Sequence, residues 1–225
     1  MAGVAIHLQQ GDLVTPSRAK LHEIVQTRPL SEIIASLRAV HRKPGEKKKQ
    51  PITGPSVTAT FHMAAGMALA AKLQNKSGMT LAFAHIDSAP GDFWREAVSF
   101  TSENQLPVVF VVSQFIDGTG AGAEVRGQAQ AFLPAITVDG SDVVAVYRVA
   151  EETTRRARQG LGPSLIECAI ERARDPLRFM EDYLAQRKLW SDAWKHGLVQ
   201  QFARELDGAV KKQSGKSGYK TAAID

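Results

Sequence analysis

The sequence of 225 residues predicts an α/β protein with a mainly parallel sheet, helices on both faces of that sheet and further helices at the carboxyl end. Apolar runs with the length of buried strands alternate with segments whose apolar residues recur at helical spacing. Unbroken apolar runs favour parallel strands, because helices on both faces of such a sheet keep each strand out of water. Right-handed strand–helix–strand connections then give three layers in the order α/β/α.

Two helices are predicted before the first of these strands. Pro29 precedes a short amphipathic helix over 31–40, since proline suits the start of a helix. The segment 61–73 is rich in Ala and Gly, and small side chains of this kind suit a helix that packs closely on a sheet or on another helix.

Four buried strands are predicted from runs that are almost entirely apolar. They are 79–86, 106–112, 135–138 and 164–170. The single cysteine, Cys168, lies in the last of them, so we expect an inert buried thiol and a scaffold without disulfides.

The strands are separated by two further helices. Asp92 is expected to cap a helix that runs through Glu103, because a side-chain oxygen at this position accepts hydrogen bonds from the first helical N–H groups. Ser141 is expected to cap a long helix that Gly160 ends.

Two amphipathic helices are predicted at the carboxyl end. Asp175 with Pro176 marks the start of the first, and Ser191 marks the start of the second. Their apolar faces are formed by Leu177, Met180 and Leu184 in the first helix, and by Trp194, Leu198, Phe202 and Leu206 in the second. Such faces pack either on the sheet or on a partner, and the sequence leaves both open.

The net charge of +5 is concentrated in two segments, 42–49 and 211–225, so the rest of the chain is close to neutral. Basic residues among Pro, Gly and Ser are typically solvated, and nucleic-acid binding is therefore not expected. We predict one domain over 1–210, which includes a basic linker at 41–50 and a helical part at 175–210, followed by a flexible basic tail.

The sequence predicts no membrane association. It contains no apolar run of about 18 residues, the length that a membrane-spanning helix needs. Gln9, Gln10 and Asp12 interrupt the region where a secretory peptide has its apolar core. A cytoplasmic protein is therefore expected.

Several segments, in one consistent order, carry a family resemblance. They are GDLVTPSR at 11–18, TFHMAAGMALAAK at 60–72, LAF at 81–83, GDFWREA at 91–97, LPVVFV at 106–111, VDGSDVVAVY at 138–147 and ARQGLGPSLIE at 157–167. Together they resemble the α-type E1 subunit of thiamine-diphosphate-dependent 2-oxo acid dehydrogenases of the pyruvate and branched-chain type. The resemblance extends over most of the chain.

This resemblance implies a three-layer thiamine-diphosphate-binding fold and a family activity. In the family, thiamine diphosphate and Mg²⁺ support oxidative decarboxylation of a 2-oxo acid, and the acyl group passes to a lipoyl disulfide. The cofactor sites lie between subunits, which implies a homo-oligomer or a hetero-oligomer with a β-type E1 subunit. In the hetero-oligomer, the partner supplies the acid that activates the cofactor.

The metal-binding positions of the family carry different side chains in this sequence. Mg²⁺ requires hard oxygen ligands, and the family takes them from the Asp of a Gly-Asp-Gly loop and from the second Asn of an Asn-Asn strand end. Here the Asp position holds His85, with Asp87 two residues further on, and the strand ends in Gln114 and Phe115. Phenylalanine has no side-chain oxygen, and imidazole is a poor ligand for Mg²⁺.

Other cofactor positions are altered as well. Arg18 matches an Arg that contacts the diphosphate, His62 lies where a Pro-containing turn meets the aminopyrimidine, and the loop with the catalytic His is missing between Arg174 and Asp175. The candidate cofactor-binding residues are Arg18, His62, His85, Asp87, Gln114 and Phe115. No catalytic residue or metal ligand is assigned. The sequence therefore predicts a cofactor-impaired or non-catalytic member of the family.

Plain structural roles remain open for the same residues. His62 and His85 are typical of core or surface histidines, Arg18 of a surface ion pair, and Asp87 of a turn.

A nucleotide-binding, Rossmann-like oxidoreductase is the alternative hypothesis. Gly118, Gly120 and Gly122 follow a strand, and Asp139 ends the next one, which is the arrangement of a dinucleotide fingerprint. Five residues separate Val112 from Gly118, whereas fingerprint glycines turn directly off the strand. This hypothesis is the weaker of the two.

Overall fold

The structure of this chain is a computed structural model, which describes residues 2–15, 57–86, 94–116 and 123–214. The predicted helix at 31–40 and the basic linker at 41–50 lie outside the described residues, and so does the tail from 215 onwards.

Contacts within the chain divide it into two compact units. The first comprises Met1–Arg18 and Gly54–Met180, and the second comprises Ala19–Thr53 and Glu181–Asp225. The parallel sheet belongs to the first unit. A single domain over 1–210 stays a prediction.

The first unit is built on a five-stranded sheet in which every neighbouring pair of strands is parallel. The strands are β1 (Leu13–Val14), β2 (Thr80–Ile86), β3 (Val108–Ile116), β4 (Ala135–Asp139) and β5 (Ser164–Glu171). Their order is β1-β2-β3-β5-β4. The predicted α/β class with a parallel sheet is confirmed, and β3 is the long central strand.

Helices cover both faces of this sheet, as expected for strands that are apolar on both sides. The helices are α1 (Ala2–Ala5), α2 (Val57–Leu73), α3 (Trp94–Glu103), α4 (Ala123–Ala129), α5 (Val143–Arg158), α6 (Pro176–Gln186) and α7 (Asp192–Ser214). Helices α2, α3 and α4 contribute to one core with the sheet. Helix α5 packs against α1 and against three strands.

Three aromatic side chains form the centre of the core. Phe61 of α2 lies with its ring centroid 4.4 Å from that of Phe110 on β3 and 5.9 Å from that of Trp94 on α3. All three side chains are completely buried. Burial of each stabilises the fold by roughly 1.5–3 kcal/mol relative to an exposed side chain, so these contacts fix α2 and α3 against the central strand.

Strand β3 begins and ends later than the sequence predicted. It spans Val108–Ile116 instead of 106–112. Pro107 has no N–H to donate, although its carbonyl oxygen accepts a hydrogen bond from Thr80 at 2.8 Å. At the other end, the pairing with β5 continues through Ser113, Gln114 and Phe115. Pairing between the two strands therefore extends β3 beyond its apolar run.

The predicted cap of α5 was wrong by one residue. Asp142 is the cap: its Oδ1 accepts hydrogen bonds from the N–H groups of Val144 at 2.9 Å and Ala145 at 3.0 Å. Ser141 is buried, and its own N–H donates to Asp139. Two adjacent residues can each serve as a cap, and the sequence does not distinguish them.

The starts of the two carboxyl-terminal helices are confirmed. Asp175 Oδ1 accepts a hydrogen bond from the N–H of Leu177 at 2.9 Å, and Ser191 Oγ accepts one from the N–H of Trp194 at 3.1 Å. Asp92, the predicted cap of α3, lies outside the described residues.

A buried carboxylate ties the amino-terminal segment to the rest of the first unit. Asp12 accepts hydrogen bonds from the backbone N–H groups of Gln9 at 2.8 Å and Met79 at 3.0 Å. Its Oδ2 also lies 2.5 Å from a guanidinium nitrogen of Arg158, at the end of α5. The Asp12 side chain is 3% exposed, so these donors replace the water that it loses.

Cys168 is buried in β5, as predicted. Burial raises the pKa of its thiol to about 11, so the nucleophilic thiolate does not form at neutral pH. The thiol packs as a small apolar group.

Among the helices of the described ranges, none combines the length and the apolar character that a membrane span requires.

Candidate functional site

The candidate site lies at the carboxyl ends of β2, β3 and β5. Parallel strands end at the same edge of a sheet, where open α/β sheets bind their ligands. In the observed register, His85 of β2 pairs with Ser113 of β3, and Phe115 pairs with Ile170 of β5. The topology therefore brings His85 and Phe115 to the same edge.

His85 is held by the neighbouring strand. Its Nδ1 atom lies 2.9 Å from Oγ of Ser113, within hydrogen-bond distance. The Ser113 hydroxyl also lies 3.4 Å from the carbonyl oxygen of Ala84. When Ser113 donates to that carbonyl, its oxygen accepts from Nδ1–H of His85. The hydrogen bond between His85 of β2 and Ser113 of β3 thus fixes the imidazole at the sheet edge.

Phe115 lies between an imidazole and a guanidinium. Its ring centroid is 5.1 Å from that of His85 in an edge-on arrangement, and the guanidinium carbon of Arg172 lies 4.1 Å from the same centroid. Arg172 directly follows the last residue of β5. The stacked guanidinium adds a positive charge at this edge, and such contacts contribute roughly 0.5–1 kcal/mol at exposed positions.

Gln114 is oriented differently from its neighbours. Successive side chains of a strand point to opposite faces, so Gln114 lies on the face opposite to Ser113 and Phe115. Its side chain is buried at 7% exposure. Ser113 and Phe115 thus share the face of β3 on which His85 lies, whereas Gln114 does not.

His62 does not join this cluster. It lies on α2, where Nδ1 is 2.8 Å from the carbonyl oxygen of Thr58 and Nε2 is 4.0 Å from Oε2 of Glu96 on α3. These are the polar contacts of an exposed residue between two helices. Arg18 and Asp87, the other candidate cofactor residues, lie outside the described residues.

Asp139, the acidic residue of the alternative dinucleotide motif, is engaged within the protein. Its carboxylate forms an ion pair with Arg174 and accepts a hydrogen bond from the N–H of Ser141 at 2.9 Å. A ribose hydroxyl would have to compete with both donors. The glycines of that motif, 118–122, lie outside the described residues.

The candidate side chains that the structure describes at this edge, His85, Gln114 and Phe115, do not fit Mg²⁺. The ion requires several oxygen ligands in octahedral geometry, whereas His85 offers nitrogen and Phe115 offers no polar atom. The amide oxygen of Gln114 lies on the other face of the strand. Across the described ranges, no group of three or more His, Cys, Asp and Glu side chains is arranged to hold a metal ion.

Two members of the cluster, Ser113 and Arg172, were missed by the sequence analysis. Ser113 is 28 residues away from His85 in the sequence and becomes its neighbour only through the register of β2 and β3. Arg172 approaches Phe115 because β5 lies beside β3, although β4 precedes β5 in the sequence. The sequence did place Arg172 shortly after a predicted buried strand, and this position could have marked it as a residue of the sheet edge.

A cavity of about 400 Å³ lies at the opposite edge of the sheet. Gly78 and Pro107, which precede β2 and β3, line it together with Lys72, Lys76 and Arg158. Lys72 donates a hydrogen bond to the carbonyl oxygen of Asn104, and Arg158 forms an ion pair with Asp12.

A family model described as dehydrogenase E1 component matches residues 1–208 of the chain. The chain is 31% identical to the alpha subunit of acetoin:2,6-dichlorophenolindophenol oxidoreductase from Bacillus subtilis (strain 168), over 76% of the chain and 57% of that protein. It is 35% identical to the 2-oxoisovalerate dehydrogenase subunit alpha of the same organism, over 55% of the chain and 40% of that protein.

A third relative is the pyruvate dehydrogenase E1 component subunit alpha of Staphylococcus aureus (strain Mu50 / ATCC 700699), at 24% identity over 69% of the chain and 51% of that protein. The chain thus spans about half the length of these curated relatives. Among solved structures, transketolase from Campylobacter jejuni superposes with a TM-score of 0.54 at 16% identity, covering 75% of this chain and 32% of that one. That likeness concerns the fold alone.

Proposed function

Because this chain belongs to the dehydrogenase E1 component family, we propose that it is an α-type E1 subunit that has lost Mg²⁺-dependent binding of thiamine diphosphate. In this proposal the chain keeps the family fold and its capacity to associate with other subunits. It has no decarboxylase activity of its own.

The observation that carries the proposal is the contact of His85 and Arg172 with Phe115. By the family resemblance Phe115 corresponds to a metal ligand, and its side chain is 37% exposed at the sheet edge. The Arg172 guanidinium, 4.1 Å from the ring centroid, adds a fixed positive charge. A charge of the same sign disfavours a divalent cation beside it, and His85 does not supply the missing oxygen.

The family resemblance at the other cofactor positions supports the same proposal. The chain passes from β5 to α6 through Arg172 and Arg174, where the family has a loop with a catalytic His. Arg174 is paired with Asp139, which fixes this short connection to the end of β4. Membership of the family implies thiamine diphosphate and Mg²⁺ as cofactors. The described residues of this chain, however, argue against their binding.

For the partner, we propose a β-type E1 subunit. The matched relatives are named as alpha subunits, which supports a hetero-oligomer over a homo-oligomer as the main assembly. A cytoplasmic location stays a prediction.

The proposal is tested by co-expressing the full chain with the β-type E1 subunit from the same source, with an affinity tag on the β-type subunit only. We expect the two chains to purify together. We also expect no reduction of an artificial electron acceptor that depends on a 2-oxo acid, thiamine diphosphate and Mg²⁺. Turnover that saturates with thiamine diphosphate would contradict the loss of activity, and failure to purify together would contradict the choice of partner.

A further inference from the structure

Strand β4 lies at one edge of the sheet, and the outer side of its middle residues is exposed. It ends the strand order β1-β2-β3-β5-β4, so β5 is the only described strand that pairs with it. Ile136 is 37% exposed, and Thr137 is exposed as well. At the other edge, β1 has only two residues, and Val14 in it is buried. Of the two edges of the described sheet, β4 therefore offers the longer and more exposed one.

The sequence of β4 lacks the features that usually protect an exposed edge. Natural sheets blunt such edges with lysine, proline or a bulge. The five residues of β4, Ala-Ile-Thr-Val-Asp, contain neither lysine nor proline and pair with β5 in unbroken register. The one charged side chain, Asp139, forms an ion pair with Arg174. An unprotected edge of this kind is a place where a further strand can add.

The hydrogen bonds to β5 determine which backbone groups of β4 face outwards. The carbonyl oxygen of Pro134 accepts a hydrogen bond from β5 at 2.9 Å, and the N–H of Gly140 donates one to β5 at 2.7 Å. Successive residues direct their N–H and C=O groups to alternate sides of a strand, so the even-numbered residues between these two face β5. Ala135, Thr137 and Asp139 therefore direct both groups away from the sheet. Among the described residues, none accepts from the N–H of Thr137 or donates to its carbonyl oxygen.

This outward-facing set is complementary to itself. A two-fold axis perpendicular to the sheet beside Thr137 places β4 of a second copy antiparallel to the first. Thr137 then lies opposite Thr137 of the second copy, and Ala135 lies opposite its Asp139. In each pair the two residues exchange N–H···O bonds, because both direct these groups outwards. One axis thus serves all three outward-facing residues of each strand.

Two of the outward-facing carbonyl oxygens already have one donor each. That of Ala135 accepts from Nε2 of Gln130 at 3.4 Å, and that of Asp139 accepts from the N–H of Asp142 at 3.1 Å. A carbonyl oxygen has two lone pairs. Both oxygens can therefore accept a second hydrogen bond from the other copy.

The side chains permit a second strand to approach on both faces of the sheet. Ala135 belongs to the core that includes α4, so Thr137 lies on the same face and Ile136 on the opposite one. Both are exposed, which shows that neither face is covered at the middle of the strand. In the antiparallel pair, Ile136 lies opposite Val138 of the second copy, and this contact removes apolar surface from water.

From this geometry we propose that the outer edge of β4 is a self-association surface and that its occupant is β4 of a second copy of this chain, in antiparallel orientation. The pairing joins two five-stranded sheets into one sheet of ten strands. It is an isologous interface, in which the same edge serves both partners. Because it uses β4 alone, it does not depend on whether the chain binds thiamine diphosphate.

Sedimentation velocity of the full chain, over about a hundredfold range of concentration, tests the proposal first. We expect a reversible equilibrium between one and two chains. Ile136→Lys places on β4 the charge that protects natural edges and is expected to weaken the dimer at least about tenfold. The matched control is Leu73→Lys, at a 74% exposed position at the end of α2, which packs on β2. It is expected to leave the dissociation constant unchanged.

Amide hydrogen exchange of the original chain, followed by NMR, tests the register without any variant. In the monomer, the N–H groups of Ile136 and Val138 are protected by β5, whereas the N–H of Thr137 exchanges rapidly. Above the dissociation constant, we expect exchange at Thr137 and Asp139 to slow at least about tenfold, because these groups become bonded between the copies. Ile136 and Val138 stay protected under both conditions.

Three results would each overturn the proposal. They are a chain that stays monomeric, a dimer that Ile136→Lys leaves intact, and a dimer in which the N–H of Thr137 exchanges as rapidly as in the monomer. A β-type E1 subunit that protects this N–H in a complex with a single copy of the chain would overturn it as well.

Discussion

The guanidinium carbon of Arg172 lies 4.1 Å from the centroid of the Phe115 ring, where β5 and β3 end side by side. This sheet edge therefore presents an aromatic ring with a guanidinium over it. His85, held by Ser113, completes the arrangement from β2. His85, Ser113, Phe115 and Arg172 thus form one packed cluster.

Restoring oxygen ligands at this edge is expected to restore a response to Mg²⁺. The double variant His85→Asp with Phe115→Asn returns the two side chains that the family uses. In complex with the β-type E1 subunit, we expect its affinity for thiamine diphosphate to be about tenfold higher with Mg²⁺ than with EDTA, as measured by calorimetric titration.

The matched control for that variant is His196→Asp with Phe100→Asn, which introduces the same two residue types at exposed positions on α7 and α3. It is expected to show no dependence on Mg²⁺. If the affinity of the His85 and Phe115 variant also does not depend on Mg²⁺, the side chains at these two positions are not the cause of the lost cofactor binding.

Removing the Asp12 carboxylate is expected to destabilise the first unit. Asp12→Ala leaves the Arg158 guanidinium and two backbone N–H groups without their acceptor, so the free energy of unfolding should fall by roughly 2–4 kcal/mol. Urea denaturation measures the change. Glu152→Ala removes an exposed carboxylate that pairs with Arg155 within α5, and it should scarcely change the midpoint. Equal effects of the two variants would contradict the assigned role of Asp12.

Cys168 is expected to make stability depend on pH in the alkaline range. Burial raises its pKa from 9.0 to about 11, so the unfolded chain loses the thiol proton at lower pH than the folded chain does. The stabilisation is fully present below pH 9 and is lost as the pH rises towards 11, at no more than about 1.4 kcal/mol per pH unit.

The measurement for Cys168 is the difference in unfolding free energy between the original chain and Cys168→Ala at several values of pH. Lysines and tyrosines titrate in both proteins, so the difference isolates the thiol. We expect the advantage of the original chain to shrink between pH 9 and 11, and a constant difference would contradict the assignment.

Local sequence pattern predicted strands β2 to β5 and the long helices, because apolar runs and helical periodicity follow directly from burial, but it did not predict the short elements α1 and β1. It failed where neighbouring residues compete, as Ser141 and Asp142 do for the cap of α5. The apolar run of β3 also ends at Val112, whereas pairing with β5 continues the strand through Ile116. Boundaries of this kind depend on backbone partners that the local pattern does not contain.

The candidate site was only partly predictable for a related reason. His85, Gln114 and Phe115 were identified by matching positions to a family motif. Ser113 and Arg172 act through contacts between strands, and strand order is a property of the topology that no single segment encodes. His62 matched a motif position as well, but its contacts are with Thr58 and Glu96 between two helices.

Loss of Mg²⁺-dependent cofactor binding is tested most directly by titrating thiamine diphosphate into the complex of the full chain with the β-type E1 subunit, once with Mg²⁺ and once with EDTA, because the resemblance implies cofactor sites between subunits. We predict no saturable binding in the micromolar range under either condition, because His85, Phe115 and Arg172 occupy the edge where the metal ion would bind. Saturable micromolar binding with Mg²⁺ that EDTA abolishes would contradict this account.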